Sequence, residues 1–454
     1  MAKIGFCAIA GSGMSALAQV LKFKKHDIYG TDRSFDQDKE QKAKQKLSEL
    51  GIKLYPQDGS MLDETFDVLY ASTAVEDTIP DIKRAKELNI PIKHRSDLLA
   101  EIFSSYKYNI AVGGTSGKST VTAMIGYILD KSAKSPLVIN GALLKNYENQ
   151  SGIPNVVLNN GEYCVIEADE SDGSIEKYTP FISVINNISL DHKSIEELQQ
   201  LFGNFAKKAT CGVIINKDCP NSSAITHINK NTLTFSTTDS SADFYAENIT
   251  AIQNGTSYTY KDKQYTLNLI GKFNVSNAMC AVACCSLLGI DAHTSCKILE
   301  SFLGTKRRLE VLGQTNNITV IDDFAHNPDK VNASMSALKS YKGRLILMFQ
   351  PHGFSPMRLM GKEIIASFSR HMDNQDILLI PEIFFAGGTV KRDISSLDLV
   401  NHATALGLNA KFFQTRDELK QHILKIAKPN DRIVLMGARD NSITDMGFEL
   451  LEKL

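Results

Sequence analysis

Residues 109–122 read NIAVGGTSGKSTVT, and the fold is decided here. An apolar run at residues 110–112 reads as a strand. It breaks into Gly113-Gly114-Thr115-Ser116-Gly117-Lys118-Ser119-Thr120, and a helix is expected from Val121 onward. Strand, glycine-rich loop and helix form a phosphate cradle: glycines let backbone N–H groups approach phosphate oxygens, and the helix N-terminus adds partial positive charge. In that layout Lys118 reaches the outer phosphates and the Ser119 hydroxyl ligates Mg²⁺. Where the general pattern has its first glycine this chain has Val112, so the loop is the shorter form Gly-Thr-x-Gly-Lys-Ser. The alternative is a glycine-rich turn with an incidental lysine.

On the N-terminal side, residues 1–108 alternate strand and helix. Residues 4–9, 27–31 and 66–71 read as strands, and Gly11-Ser12-Gly13-Met14 is a tight turn into a helix. This is a Rossmann-like unit. A nucleotide diphosphate would sit on Gly11, Ser12, Gly13 and Met14, with Asp32 at its ribose or base. Ala16 replaces the third glycine of the dinucleotide pattern, which leaves a nucleotide-free turn as the alternative.

On the C-terminal side, the helix after the loop runs to about residue 130. A strand at residues 163–166 ends in Glu167-Ala168-Asp169-Glu170-Ser171-Asp172. Such acids can hold Mg²⁺ and meet an amino group, or form a solvated turn. A strand at 181–185 runs into Asn186-Asn187-Ile188-Ser189-Leu190-Asp191-His192. There His192 is either a metal's nitrogen ligand or a structural histidine. Residues 230–268 read as antiparallel strands. Asn274 and Asn277, one helical turn apart, either read an adenine edge or, for Asn274, cap the helix. In Lys306-Arg307-Arg308-Leu309-Glu310 an arginine would stabilise charge on a transferring phosphate; a basic surface turn is the alternative. Residues 313–454 read as another doubly wound unit. Its strand ends carry Asp322-Asp323-Phe324-Ala325-His326-Asn327-Pro328, Gln350-Pro351-His352 and Gly437-Ala438-Arg439-Asp440-Asn441.

The 454 residues suggest two to four domains. A formal net charge of −1 and the lack of a long basic run argue against a nucleic-acid partner. No apolar stretch approaches the roughly 18 residues that a membrane span needs. The apolar N-terminus reads as a first strand rather than a signal peptide. The eight cysteines include no CxxC pair. Cys280, Cys284 and Cys285 read as core residues, and free buried thiols fit a reducing cytoplasm.

In order along the chain, these motifs resemble the Mur ligase family, ATP-dependent amide-forming enzymes of peptidoglycan precursor synthesis. The matching set is the Gly-x-Gly turn, the phosphate loop, EADES, Asn-Ile-x-x-Asp-His, Gly-x-x-Asn-x-x-Asn, Arg-Arg-x-Glu, Asp-Asp-x-x-His and FQPH. The resemblance implies an α/β fold of three domains: a Rossmann-like UDP-sugar domain (1–108), a central P-loop-type ATPase with a mostly parallel sheet (109–312), and a Rossmann-like domain for ATP and the amino acid (313–454).

It implies a ligation through an acyl phosphate on the lactyl carboxylate of UDP-N-acetylmuramate, with ATP and Mg²⁺ or Mn²⁺. Lys118, Glu167, His192 and Arg307 are the implied catalytic residues. Ser119, Glu167 and His192 are the implied metal ligands. Gly114, Thr115, Ser116, Gly117, Lys118, Ser119, Thr120, Asn274, Asn277, Arg308, Asp323 and His326 would hold ATP. Gly11, Ser12, Gly13, Met14, Asp32, Ser72, Glu170, Ser171 and His352 would hold the other substrates. Neutral His192 would make activity fall below about pH 6.5. Sites drawn from three domains imply closure during turnover.

EADESD, FQPH and Gly-x-Gly-Met look most like the branch that adds L-alanine. Residues 307–310, 322–325 and 357–361 look more like the branch that adds a recycled tripeptide. Ser116, Ser119, Phe273, Asn327 and Gly353 depart from the first branch's usual residues. Gly353 stands where an arginine would anchor the amino acid, and Arg358 is the candidate substitute. Rivals are a folylpolyglutamate- or cyanophycin-type ligase, an oxidoreductase built on residues 1–108, and a catalytically inactive regulator. The expected partners are small molecules, and the expected state is a cytoplasmic monomer or homodimer.

Overall fold

The computed structural model describes residues 1–72, 75–171, 173–190, 193–385, 391–438 and 440–454. Three α/β sheets follow one another along the chain. The first contains β1 (Lys3–Cys7), β2 (Asp27–Thr31), β3 (Lys53–Tyr55), β4 (Val68–Ala71) and β5 (Ile92–His94) in the order β3-β2-β1-β4-β5, all parallel. The chain leaves β1 towards β2 on one side and returns to β4 on the other. Strand order therefore reverses beside β1, where a crevice opens at the strands' C-terminal ends.

The second sheet has eight strands: β6 (Tyr108–Gly113), β7 (Leu137–Ile139), β8 (Val156–Val157), β9 (Tyr163–Glu167), β10 (Ile182–Ile185), β11 (Gly212–Asn216), β12 (Thr232–Ser236) and β13 (Phe244–Tyr245). Their order is β13-β12-β11-β10-β6-β9-β7-β8. Its middle strands are mostly apolar and buried, as strands covered on both faces are. Because β9 and β10 flank β6, the ends of three strands converge beside the phosphate loop.

The antiparallel reading of residues 230–268 needs correction at residues 232–245: β12 and β13 extend the parallel sheet. Alternating apolar residues give a strand's faces but not its direction, and β11 reaches β12 through a long crossover. Strands β14 (Glu247–Ile252), β15 (Gly255–Tyr260) and β16 (Lys263–Leu267) form a separate small sheet, followed by the Lys272–Leu287 helix.

The last sheet contains β17 (Glu310–Thr315), β18 (Ile318–Asp323), β19 (Leu345–Phe349), β20 (Ile377–Pro381), β21 (Ala410–Phe413) and β22 (Arg432–Met436) in the order β17-β18-β22-β19-β20-β21. It is parallel apart from the β17–β18 pair.

The molecule divides into two compact units. One comprises residues 1–247, 259–265 and 276–305; the other comprises 248–258, 266–275 and 306–454. The first two sheets thus share a unit and one continuous apolar core. A buried amide network ties them. Asn155 Nδ2 donates to Ser12 O at 2.7 Å and to Ser15 Oγ at 3.0 Å. Gln19 Nε2 donates to Asn155 Oδ1 at 3.0 Å, and Gln19 Oε1 accepts from Ile153 N at 2.8 Å. Fully paired, such a network favours one seating of the first helix on the central domain.

Candidate active site

The phosphate loop leaves β6 at Gly113 and enters the Lys118–Lys131 helix. Gly114 and Gly117 have φ of +134° and +83°, which non-glycine residues rarely adopt. Lys118 Nζ folds back over the loop, 2.8 Å from Gly114 O and 2.7 Å from Glu170 Oε2. Burial raises the Glu170 carboxyl above the ordinary range while Lys118 opposes it. Asp169 is half-exposed; partial desolvation pulls its carboxyl up, but the nearby Lys118 charge and its bonds from Ser171 prevail and hold it low. Glu170, expected to meet an acceptor amine, is thus Lys118's ion-pair partner, and Ser171 is engaged with Asp169 at 2.9 Å.

Ser119 Oγ donates to Glu167 Oε2 at 2.9 Å, and Gly141 N donates to Glu167 Oε1. Glu167 closes β9 next to β6, so strand pairing alone brings these residues together. A hydroxyl and a carboxylate are hard oxygen donors. Mg²⁺ takes a few such protein ligands and completes its shell with phosphate and water, so the pair fits that ion. Among the described residues no group of three His, Cys, Asp or Glu side chains forms a metal cluster. His192, together with Asp191, lies outside the described residues. Thr115 and Thr120 are buried beside the loop. Asn277 Oδ1 accepts from Asn186 Nδ2 at 3.0 Å beneath Gly117.

A cleft of about 630 Å³ joins this loop to the first glycine turn. Residues 11–14, Asp32 and Ser72 line one side, and Lys118, Asn140, Gly141, Glu167 and Asp169 line the other. The Ser12–Phe23 helix starts at the turn and points its N-terminus into the cleft. Asp32 is held from behind: Oδ2 accepts from Ala10 N at 2.9 Å and Oδ1 from Ser34 N at 2.9 Å. Sequence reading missed Arg33, Gln57 and Arg95, which also line the cleft. No motif marks Arg95. Its placement shows only in three dimensions, where a Cβ at Gly13 would stand 2.9 Å from Arg95 Cδ.

In the other unit the two arginines have different fates. Arg307 is 7% exposed. Its Nη2 donates to Gly437 O at 2.6 Å and its Nε faces Asp322 at 3.3 Å. The guanidinium expected to face a phosphate is therefore enclosed between Asp322, Gly437 O and the Phe324 ring. Arg308, half-buried, lies over the Phe324 ring at 5.0 Å.

Burial pushes the Asp323 carboxyl up, and Ser334 Oγ and Leu309 N donate to it. His326 is driven down to about 4, chiefly by burial. Its Nδ1 is 2.8 Å from Phe324 O, and its ring meets His352 edge-on at 5.4 Å. Asn274 lies inside the Lys272–Leu287 helix rather than at its cap, and its Nδ2 donates back to Ile270 O at 2.8 Å. Asn327 caps the Pro328–Lys339 helix by accepting from Lys330 N. Arg358 is held by Asp393 at 2.9 Å and by Lys391 O at 2.8 Å.

A glycine-rich phosphate loop with a Lys–Ser–Glu cluster, facing a second glycine turn across one cleft, defines a nucleotide-using α/β protein of three domains. Three family models match in sequence: Mur ligase family, catalytic domain (residues 3–107), Mur ligase middle domain (112–285), and Mur ligase, glutamate ligase domain (307–439). A UDP-N-acetylmuramate–L-alanine ligase of Dictyoglomus turgidum is 33% identical over 465 residues, covering 99% of this chain and 97% of the relative. One of the same name from a Sulfurihydrogenibium species is 33% identical over 464 residues, covering 100% and 98%. The crystal structure of UDP-N-acetylmuramate-alanine ligase MurC from Thermotoga maritima superposes with a TM-score of 0.82 at 25% identity, covering 100% of this chain and 99% of that one. A murein peptide ligase from Psychrobacter arcticus shares the fold at a TM-score of 0.69 and 22% identity, covering 100% and 98%. The chain belongs to the Mur ligase family.

Proposed function

We propose that this chain is an ATP-dependent ligase that joins L-alanine to the lactyl carboxylate of UDP-N-acetylmuramate through an acyl phosphate. The observation that carries the reading is the shared cleft, which sets a diphosphate-sized glycine turn opposite the phosphate loop. The L-alanine acceptor rests on the full-length relatives of that name. Residues 1–108 take the UDP-sugar, 109–312 take ATP, and 313–454 contribute to ATP and the amino acid.

Residues 11–14 and the Ser12 helix N-terminus meet the diphosphate, with Arg33 and Arg95 supplying positive charge. Lys118 and the first amides of its helix hold the outer phosphates of ATP. Ser119 and Glu167 are the chain's oxygen ligands for Mg²⁺, with His192 as the further ligand. A bound Mg²⁺ would neutralise negative charge developing in the transition state. Arg308, rather than Arg307, supplies the guanidinium for the transferred phosphate. In this reading the chain works in the cytoplasm, where both nucleotides are found. Among the described residues no helix is long and apolar enough to cross a membrane.

The test offers labelled UDP-N-acetylmuramate and ATP with L-alanine or with L-Ala-γ-D-Glu-meso-diaminopimelate in parallel. The expected result is ligation and phosphate release with L-alanine. Ligation of the tripeptide alone would overturn the acceptor, and no phosphate release with either would overturn the ligase reading.

A further inference from the structure

Resting on the ATP-site reading above, we propose that Asn187, seconded by Asn186, is the positioning residue that pre-forms the phosphate loop. It holds residues 115–116 in a closed turn, so that the Thr115 and Ser116 amides are already paired and phosphate is met by the loop's other amides and those at the start of the Lys118–Lys131 helix.

In an open cradle every loop N–H points at the ligand. Here two of them already have partners. Ser116 N donates to Asn187 Oδ1 at 2.8 Å, and Asn187 Nδ2 returns a bond to Ser116 O at 2.9 Å. The side-chain amide thus pairs both backbone groups of one residue, as a neighbouring strand would. Thr115 N donates to Asn187 O at 3.1 Å. Ser189 N donates to Thr115 Oγ1 at 3.0 Å, and that hydroxyl donates to Ser189 O at 3.2 Å. The β10–β6 pairing, which ends at Ile185 and Gly113, is in effect continued into the loop.

Asn186 acts from below. Its Nδ2 donates to Ser116 O at 2.9 Å as well as to Asn277 Oδ1, and its Oδ1 is buried with no hydrogen-bond partner. Two acceptors facing one nitrogen set the orientation of this amide.

The two glycines record the same constraint independently. A Cβ at Gly114 would stand 3.0 Å from Asn187 N, and one at Gly117 would stand 2.4 Å from Asn186 Nδ2. Besides the positive φ at both positions, the close approach of the asparagine clamp leaves little room for a side chain there. A loop already paired loses little freedom when a nucleotide binds, and this preorganisation is where its affinity arises.

The experiment uses the full chain. In wild type without nucleotide, peptides spanning residues 113–117 are expected to be protected from hydrogen exchange, and Asn187→Ala should exchange at least tenfold faster there. By calorimetry the same variant should bind ATP at least tenfold more weakly and UDP-N-acetylmuramate within twofold of wild type, a split that general destabilisation would not produce. Asn187→Asp keeps the acceptor for Ser116 N but sets an oxygen against Ser116 O. It should weaken ATP about fivefold or more, and it decides the matter if the alanine variant fails to fold. ATP affinity within threefold of wild type in a folded variant, or an unprotected loop in wild type, would overturn the clamp. A wild-type chain that binds no ATP would overturn the ligase reading instead.

Discussion

Replacing Arg307 with methionine should unfold the C-terminal unit before it impairs chemistry. The guanidinium reaches Gly437 O at 2.6 Å, and Asp322 beside it is fully buried. After the substitution Asp322 keeps Thr444 Oγ1 as a donor but loses the guanidinium beside it. Burial already raises that carboxyl against Arg307's opposing charge, so the group is left buried, partly desolvated and uncompensated. Breaking a buried pair on one side costs about 3–5 kcal/mol. For a unit of this size each kcal/mol shifts the midpoint by about 2–4 °C, so a fall of about 6 °C or more is expected. Thermal melts of the full chain, paired with initial phosphate-release rates well below the midpoint, measure both effects. Arg307→Met combined with Asp322→Asn should recover part of the loss, since the stranded charge is gone. Arg308→Met should behave oppositely, keeping the midpoint within about 2 °C while turnover falls by about a hundredfold or more. An Arg307→Met chain that melts like wild type but does not turn over would refute this reasoning and return Arg307 to the phosphate.

Two further outcomes are expected. Lys118→Ala should lose turnover by about a hundredfold or more with an unchanged circular dichroism spectrum; near-normal turnover would remove Lys118 from the phosphates. His326 is held neutral down to about pH 4 against 6.5 unfolded. Its contribution is therefore fully present above pH 6.5 and is lost as pH falls towards 4. Between pH 7 and pH 5 the loss is about 2 kcal/mol. Melts at the two values should show it, and His326→Gln should flatten the difference; an identical pH response in both chains would refute it.

The glycine loop, the Gly-x-Gly turn and the apolar strand runs were legible in the sequence because each is local. A phosphate-binding turn needs glycine within a few residues of a helix start, and a doubly covered strand must be apolar along its length. Strand order is not local. That β9 and β10 flank β6, and so bring Glu167 to Ser119 and Asn187 to Ser116, follows from crossovers whose destinations no short pattern records.

The same holds for side-chain partners. Two adjacent arginines are equivalent on paper and both lie over the Phe324 ring, yet a buried aspartate and Gly437 O enclose one and leave the other half-buried. The sequence by itself determined the α/β fold of three domains and the two glycine turns. Only the tertiary structure decided which charges face the cleft and which hold the fold, because a desolvated charge is fixed by whichever partners surround it in space.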